Sequence, residues 1–202
     1  MIAYLSIDLD FWRYHTTERS AIRFFDRVFA LKLPIFVAPF HDQLLSHIDE
    51  SGCNVLINVD AHADLGNMPL PGVDMPLRHL TEGSWENFIS WKATGKFIWR
   101  YPDQRRVFDG YCHDQPWGNP EDDTRNPLLH PELAGWRQTS MRHGLSGLPW
   151  KSIRAVGVCL SAYWLGGAPI HRITDRLRIS QWRRLPERLQ RRTLRPFLWA
   201  AA

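Results

Sequence analysis

Short apolar runs recur along the chain, several of them ending in polar or acidic residues, and their spacing predicts alternating strands and helices. The first strand is expected over residues 2–10, where Ile2-Ala3-Tyr4-Leu5 leads into Ser6-Ile7-Asp8-Leu9-Asp10. A helix follows, capped by Thr16 or Thr17, with Ile22, Phe25, Val28 and Phe29 at helical spacing. Residues 34–38 read as the second strand, ending at Pro39-Phe40-His41, and residues 42–51 as a short helix stopped by Gly52. Residues 54–60 form the third strand and run into Ala61-His62-Ala63-Asp64; a loop rich in Gly and Pro (Gly66, Pro69, Pro71, Gly72, Pro76) then lies over the strand ends. Ser84 is positioned to cap a helix running to Gly95, and residues 96–101 are expected as the fourth strand. Residues 102–150 show no clean period and are too long for an ordinary connection, which leaves a substrate-covering excursion or a poorly ordered segment; their aromatic content favours the ordered option. Residues 152–161 return to a buried-strand pattern, and residues 174–199 are expected to be helical. The alternation predicts an α/β fold, a mostly parallel sheet covered on both faces in three αβα layers.

With 202 residues, 44% hydrophobic and 23% charged, the chain suits one globular domain. It has no apolar run of about 18 residues and no signal-peptide pattern, so a soluble, cytoplasmic protein is expected. Cys53, Cys112 and Cys159 lack CxxC spacing, which points to reduced thiols rather than disulfides or a structural zinc site. Charge is unevenly spread: residues 172–195 hold nine arginines against Asp175 and Glu187, a net +7, so the +4 of the whole chain leaves −3 for the rest. We therefore divide the chain into a main domain, 1–171, and an Arg-rich helical segment, 172–202, packed on it or trailing it. That tail could bind nucleic acid, but a solvated helix face is the simpler reading. Ten tryptophans, seven of them between residues 85 and 164, suit a core or the wall of a groove.

The acidic clusters carry the candidate chemistry. In extended backbone, Asp60, His62 and Asp64 would project the same way, and so would Asp8 and Asp10. Carboxylates and an imidazole gathered at one sheet edge would repel and titrate abnormally unless cations neutralise them. Converging Asp and His suit Mn²⁺ or a similar ion, and His41, ending the intervening strand, is the natural sixth ligand. His47, His113 and His143 stand apart and are read as surface or hydrogen-bonded residues.

At these residues the chain resembles the arginase and deacetylase superfamily, specifically its ureohydrolases. Asp60-Ala61-His62-Ala63-Asp64 is similar to that family's D-A-H-x-D signature, and Ser6-Ile7-Asp8-Leu9-Asp10 to its S-x-D-x-D signature. Their order is reversed relative to ordinary arginases, and this permuted arrangement resembles an arginase-like family that includes peptide arginases, which convert arginine in a precursor peptide to ornithine. Leu160-Ser161-Ala162-Tyr163-Trp164 is similar to that family's serine-containing motif. The resemblance implies an arginase-like fold and two divalent ions, most simply Mn²⁺: one held by His41, Asp60, Asp64 and Asp8, the other by Asp60, His62, Asp8 and Asp10, with Asp60 and Asp8 bridging. It implies hydrolysis of a guanidino group in an arginine-containing peptide or a small guanidino substrate, yielding urea and ornithine. Asp64 would serve the departing amine, His79 is the candidate proton shuttle and Glu82 the candidate partner of the guanidinium. Two departures stand out: Val37-Ala38-Pro39-Phe40 replaces the glycine-rich run before the metal histidine, and no Asp-Pro trails the S-x-D-x-D stretch.

Other readings remain open at this level. Another amide or amidine could be the substrate. A phosphatase of the haloacid-dehalogenase type also places D-x-D after its first strand, but Asp122-Asp123 is poorly placed as its second acidic pair and D-A-H-A-D would have no role. Metallophosphoesterases need GD and GNH motifs that the chain lacks. A non-catalytic binder of nucleic acid or peptide would use the Arg-rich tail instead.

Overall fold

A computed structural model describes residues 1–13, 18–61, 64, 85–102, 135–161, 171–177 and 197–199. Its centre is β1 (Ala3–Asp8), buried at every position, flanked in parallel by β3 (Val55–Val59) and β6 (Ile153–Cys159). β4 (Lys96–Tyr101) pairs parallel with β3, β5 (Gln138–His143) parallel with β4, and β2 (Ile35–Ala38) parallel with β6. β7 (Phe197–Trp199) adds antiparallel to β2 and completes the order β5-β4-β3-β1-β6-β2-β7. The near-continuous apolar runs of β1, β3 and β6 thus reflect strands buried on both faces.

Each face has its own cover. Ala3, Leu5 and Ile7 of β1, with Val55, Ile57, Val59, Val156 and Val158, pack on Ala21, Phe24, Phe25, Val28 and Phe29 of α1 (Glu18–Ala30) and on Ile173 and Leu177 at α3 (His171–Arg176). On the other face, Tyr4, Leu56, Phe97 and Trp99 meet Leu44 and Ile48 of the α2 region (Leu45–Glu50), together with Trp85, Ile89 and Trp136. Gly52, at φ 67°, ends α2 in the left-handed conformation that glycine adopts without steric cost. Gly157 serves packing: a Cβ there would overlap the Tyr4 hydroxyl, which bonds His47 Nδ1 at 2.7 Å. His47 also stacks on Phe36, in keeping with a hydrogen-bonded structural role.

Several elements differ from the sequence expectation. β1 stops at Asp8, and Leu9–Arg13 turns into a 3₁₀ helix as Leu9, Phe11 and Trp12 enter the core. β3 likewise stops at Val59, and Asp64 takes a left-handed backbone, φ 51°, so neither acidic cluster converges by extended alternation. The helix expected up to Gly95 is a 3₁₀ helix, Trp85–Phe88, followed by turns. The Ser90 N–H and hydroxyl both donate to Asp49 Oδ1, at 3.0 and 2.9 Å, and the next amides reach back three residues, Thr94 to Trp91 and Gly95 to Lys92. The Asp49 carboxylate thus takes the Ser90 N–H that an α-helical ladder would use. β5 arises inside the stretch that showed no period, because an exposed edge strand needs no apolar alternation. Residues 197–199 form a strand rather than helix, paired to β2; residues 178–196 lie outside the described residues. Among the described residues no helix is long and apolar enough to cross a membrane.

Candidate metal centre

The chain leaves β1 and changes sides of the sheet at its middle, with β3 on one flank and β6 on the other. Open parallel sheets bind ligands in the crevice at the carboxyl ends of such strands. Here the face that carries Tyr4 becomes polar toward that end: Tyr4, Ser6 and Asp8 share one side of β1, and Leu56, Asn58 and Asp60 continue the same side of β3. His41 enters from the 3₁₀ helix His41–Leu44 immediately after β2.

His41 Nδ1 lies 3.1 Å from Asp8 Oδ2, 3.3 Å from Asp60 Oδ2 and 2.9 Å from Asp64 Oδ2, with all four side chains buried. Asp10 is brought beside Asp8 by the turn after β1, where its backbone N–H donates to Asp8 Oδ1 at 2.8 Å. Three sets of donor atoms lie within 4.8 Å of one another: His41 with Asp60 and Asp64, Asp8 with Asp10 and Asp60, and Asp8 with His41 and Cys159. These buried groups could hold a metal ion. The donor chemistry fits a cation, since one imidazole cannot offset four buried carboxylates and divalent charge would remove much of the remaining imbalance.

Neighbouring side chains orient the ligands. Ser161 Oγ donates to Asp8 Oδ2 at 2.8 Å, Trp85 Nε1 to Asp64 Oδ2 at 2.7 Å and Asn58 Nδ2 to Asp60 Oδ2 at 3.3 Å. Ser6 Oγ lies 3.3 Å from His41 Nε2, and the Trp85 ring covers the imidazole at a centroid distance of 4.8 Å. Such partners fix tautomer and orientation in metal sites. Ser161 is itself left-handed, φ 48°, as Asp64 is; two non-glycine residues in that region within one site is the pattern of strain held at functional positions.

Of the residues expected from sequence, Asp8, Asp10, His41, Asp60 and Asp64 are brought together; His62, His79 and Glu82 lie outside the described residues. Three contributors were not anticipated. Glu86 is wholly buried, and both of its oxygens lack a hydrogen-bond partner among the described residues. Cys159 ends β6 beside Asp8, and Trp85 anchors Asp64. Ser6 and Asn58 were legible in principle, as each precedes a ligand by two positions in its strand and so shares its face.

Electrostatics mark the cluster. Burial alone would lower the pKa of His41, but Asp8, the hydrogen bond to Asp64 and the charge of Asp60 outweigh it and raise it to about 10. Asp8 is held well above the usual carboxylate range by burial and then by Asp10 and Asp60; Glu86 is raised by burial and then by Asp64 and Asp60. The Cys159 thiol is pushed up by burial first and Asp8 second.

These shifts set a sign for pH. Without metal, the stability contributed by protonated His41 is fully present below its unfolded value of 6.5 and is lost as the pH rises toward about 10. The raised carboxylates Asp8 and Glu86 act in the same direction, because the unfolded chain ionises them first. Metal-free protein should therefore lose thermal stability from pH 5 to pH 9, while the increment from added Mn²⁺ grows over that range as the ion displaces protons. Melting curves in chelator and in Mn²⁺ measure this, and an increment independent of pH would refute it.

No protein-family model, curated protein or solved structure matches the chain.

Proposed function

We propose that the protein is a binuclear metal hydrolase of the ureohydrolase type, acting on the guanidino group of arginine, with peptidyl arginine as the favoured substrate. The observation that carries this reading is the sharing of Asp60 between two donor sets, His41/Asp60/Asp64 and Asp8/Asp10/Asp60, which is what a carboxylate bridging two ions requires. Asp8 stands at the same junction, facing both His41 and Asp10. In this reading two ions, Mn²⁺ in the simplest case, supply the Lewis acidity that makes a water nucleophilic at neutral pH.

The chain's own groups supply the rest. Water adds to the guanidinium carbon, the bond from that carbon to the arginine side-chain nitrogen breaks, and the nitrogen takes up a proton as urea and ornithine form. In this reading Asp64, whose Oδ2 accepts a hydrogen bond from Trp85 Nε1, would carry that proton. His79 and Glu82 keep the roles implied by the resemblance. Glu86 is a second candidate for the guanidinium, since a buried carboxylate without a partner among the described residues is suited to a cation brought by the substrate. The permuted motif order and the aromatic-rich sequence of residues 102–150 support a peptide rather than free arginine.

Arginine-containing peptides incubated with the Mn²⁺-loaded protein should release urea and gain ornithine by mass spectrometry. Glu86→Gln should retain metal yet lose productive binding, with a charge-assisted bond removed, a cost of about 1.5–3 kcal/mol or roughly 10- to 150-fold in kcat/KM. If the metallated protein cleaves acetyl-lysine or a phosphate ester and leaves every guanidino compound untouched, the guanidino assignment is wrong.

A further inference from the structure

A sulfur stands beside the cluster, on a strand that the arrangement of Asp and His ligands does not use. Cys159 is the last residue of β6, in register with Asp8 on one side and Ala38 on the other. Parallel neighbours in register project to the same face, so its side chain emerges with that of Asp8, on the face that leads to His41. It is 1% exposed. Its Sγ, a carboxylate oxygen of Asp8 and a ring nitrogen of His41 all fall within 4.8 Å of one another. A tetrahedral cation about 2.3 Å from sulfur and about 2.0 Å from nitrogen and oxygen spaces its ligands roughly 3.3–3.6 Å apart, within reach of this set by small side-chain movements. The sulfur also accepts the backbone N–H of Ser161 at 3.2 Å and lies 3.9 Å from the Pro39 carbonyl oxygen, which fixes its position beside Asp8. The left-handed backbone of Ser161 accompanies this, while the same residue's hydroxyl holds Asp8.

We propose that Cys159 is a thiolate ligand at the His41 side of the metal centre, so that this position combines nitrogen, oxygen and sulfur donors and takes a softer divalent ion than its neighbour. Among the described residues the Asp8/Asp10/Asp60 set offers oxygen alone, and His62, outside them, would add a nitrogen by the resemblance; the His41 position differs in offering sulfur as well, which suits Zn²⁺, Co²⁺ or Fe²⁺. The two positions thus differ in hardness, and the protein sorts two kinds of ion between them. This inference rests on the reading of the cluster as a metal centre and adds to it a ligand and a metal preference.

The test is titration of the metal-free, full-length protein with Co²⁺ under anaerobic conditions. Wild type should develop visible d–d absorption, which reports cobalt binding, together with a near-ultraviolet sulfur-to-cobalt charge-transfer band, which reports the thiolate. Cys159→Ser should lose the charge-transfer band, keep visible absorption and bind Co²⁺ at least about tenfold more weakly. Cys53→Ser, changed at the far end of β3, should keep both signals. Zn²⁺ should outcompete Mn²⁺ less strongly in Cys159→Ser than in wild type. X-ray absorption of Zn²⁺-loaded wild type needs no variant to fold and should show a sulfur scatterer at about 2.3 Å. Cobalt binding without a thiolate band in wild type, or a band that survives Cys159→Ser, overturns the role of Cys159 and leaves the metal centre standing. Failure to bind cobalt, zinc or manganese at all overturns both.

Discussion

Asp60→Asn should leave a folded protein that gains nothing from metal. Asparagine fills the same volume, and Asn58, whose Nδ2 now donates to Asp60 Oδ2 at 3.3 Å, can donate to the new amide oxygen instead. The Asp60 backbone is held independently, its N–H by the Arg100 carbonyl and its own carbonyl by Trp99 Nε1. What disappears is a charged donor common to both sets of ligands. At free metal about 100 times its Kd, a bound ion stabilises the fold by about 2.7 kcal/mol. Wild type should show at least that increment and Asp60→Asn almost none, with urea release falling to background because both positions fail together. Asp10→Ala offers the contrast: it belongs to one donor set only, so one ion should be weakened and the other retained. Metal analysis of the two variants separates the cases, and full retention of metal by Asp60→Asn would rule out a shared carboxylate.

The parts of the fold legible in the sequence are those where burial leaves a pattern. β1, β3 and β6 lie at the centre and are largely buried and apolar, so their runs were visible, and the acidic ends of β1 and β3 marked the sheet edge. β5 is an exposed edge strand, Gln138–His143, and its polar sequence carries no comparable pattern. The C-terminal strand was read as helix because three residues are too few to show a period, and only pairing with β2 determines their conformation. The site shows a similar division. Motif spacing identified Asp8, Asp10, Asp60 and Asp64, but by the wrong geometry: a 3₁₀ turn and a left-handed residue bring them together where extended alternation was expected. Cys159 and Glu86 belong to no motif. They join the cluster through strand register in one case and a tryptophan-anchored turn in the other, and neither relation is local in sequence.

Truncating Trp12 should produce the largest loss of stability, and it should reach the metal centre. The indole is wholly buried and packs against Phe11, Phe24 and Phe25 at centroid distances of 5.0, 5.4 and 5.4 Å, joining the turn after β1 to helix α1. Removing a side chain of this size from a core leaves a cavity and costs about 3–5 kcal/mol. Its Nε1 has no hydrogen-bond partner among the described residues, so the indole nitrogen contributes little and Trp12→Phe should cost far less, below about 1.5 kcal/mol. The two substitutions separate volume from polarity. The consequence for the site follows from position: Trp12 lies in the 3₁₀ helix Leu9–Arg13, the same turn that carries Asp10. A turn released from its anchor holds Asp10 less firmly against Asp8, so Trp12→Ala should bind metal more weakly by about tenfold at the Asp10 position while the His41 position, supported by β2 and Trp85, changes little. Urea denaturation of metal-free protein measures the first effect and metal titration the second. A Trp12→Ala protein that matches wild type in stability would show that the aromatic cluster does not hold the turn, and uniform loss at both positions would show that the damage spreads beyond it.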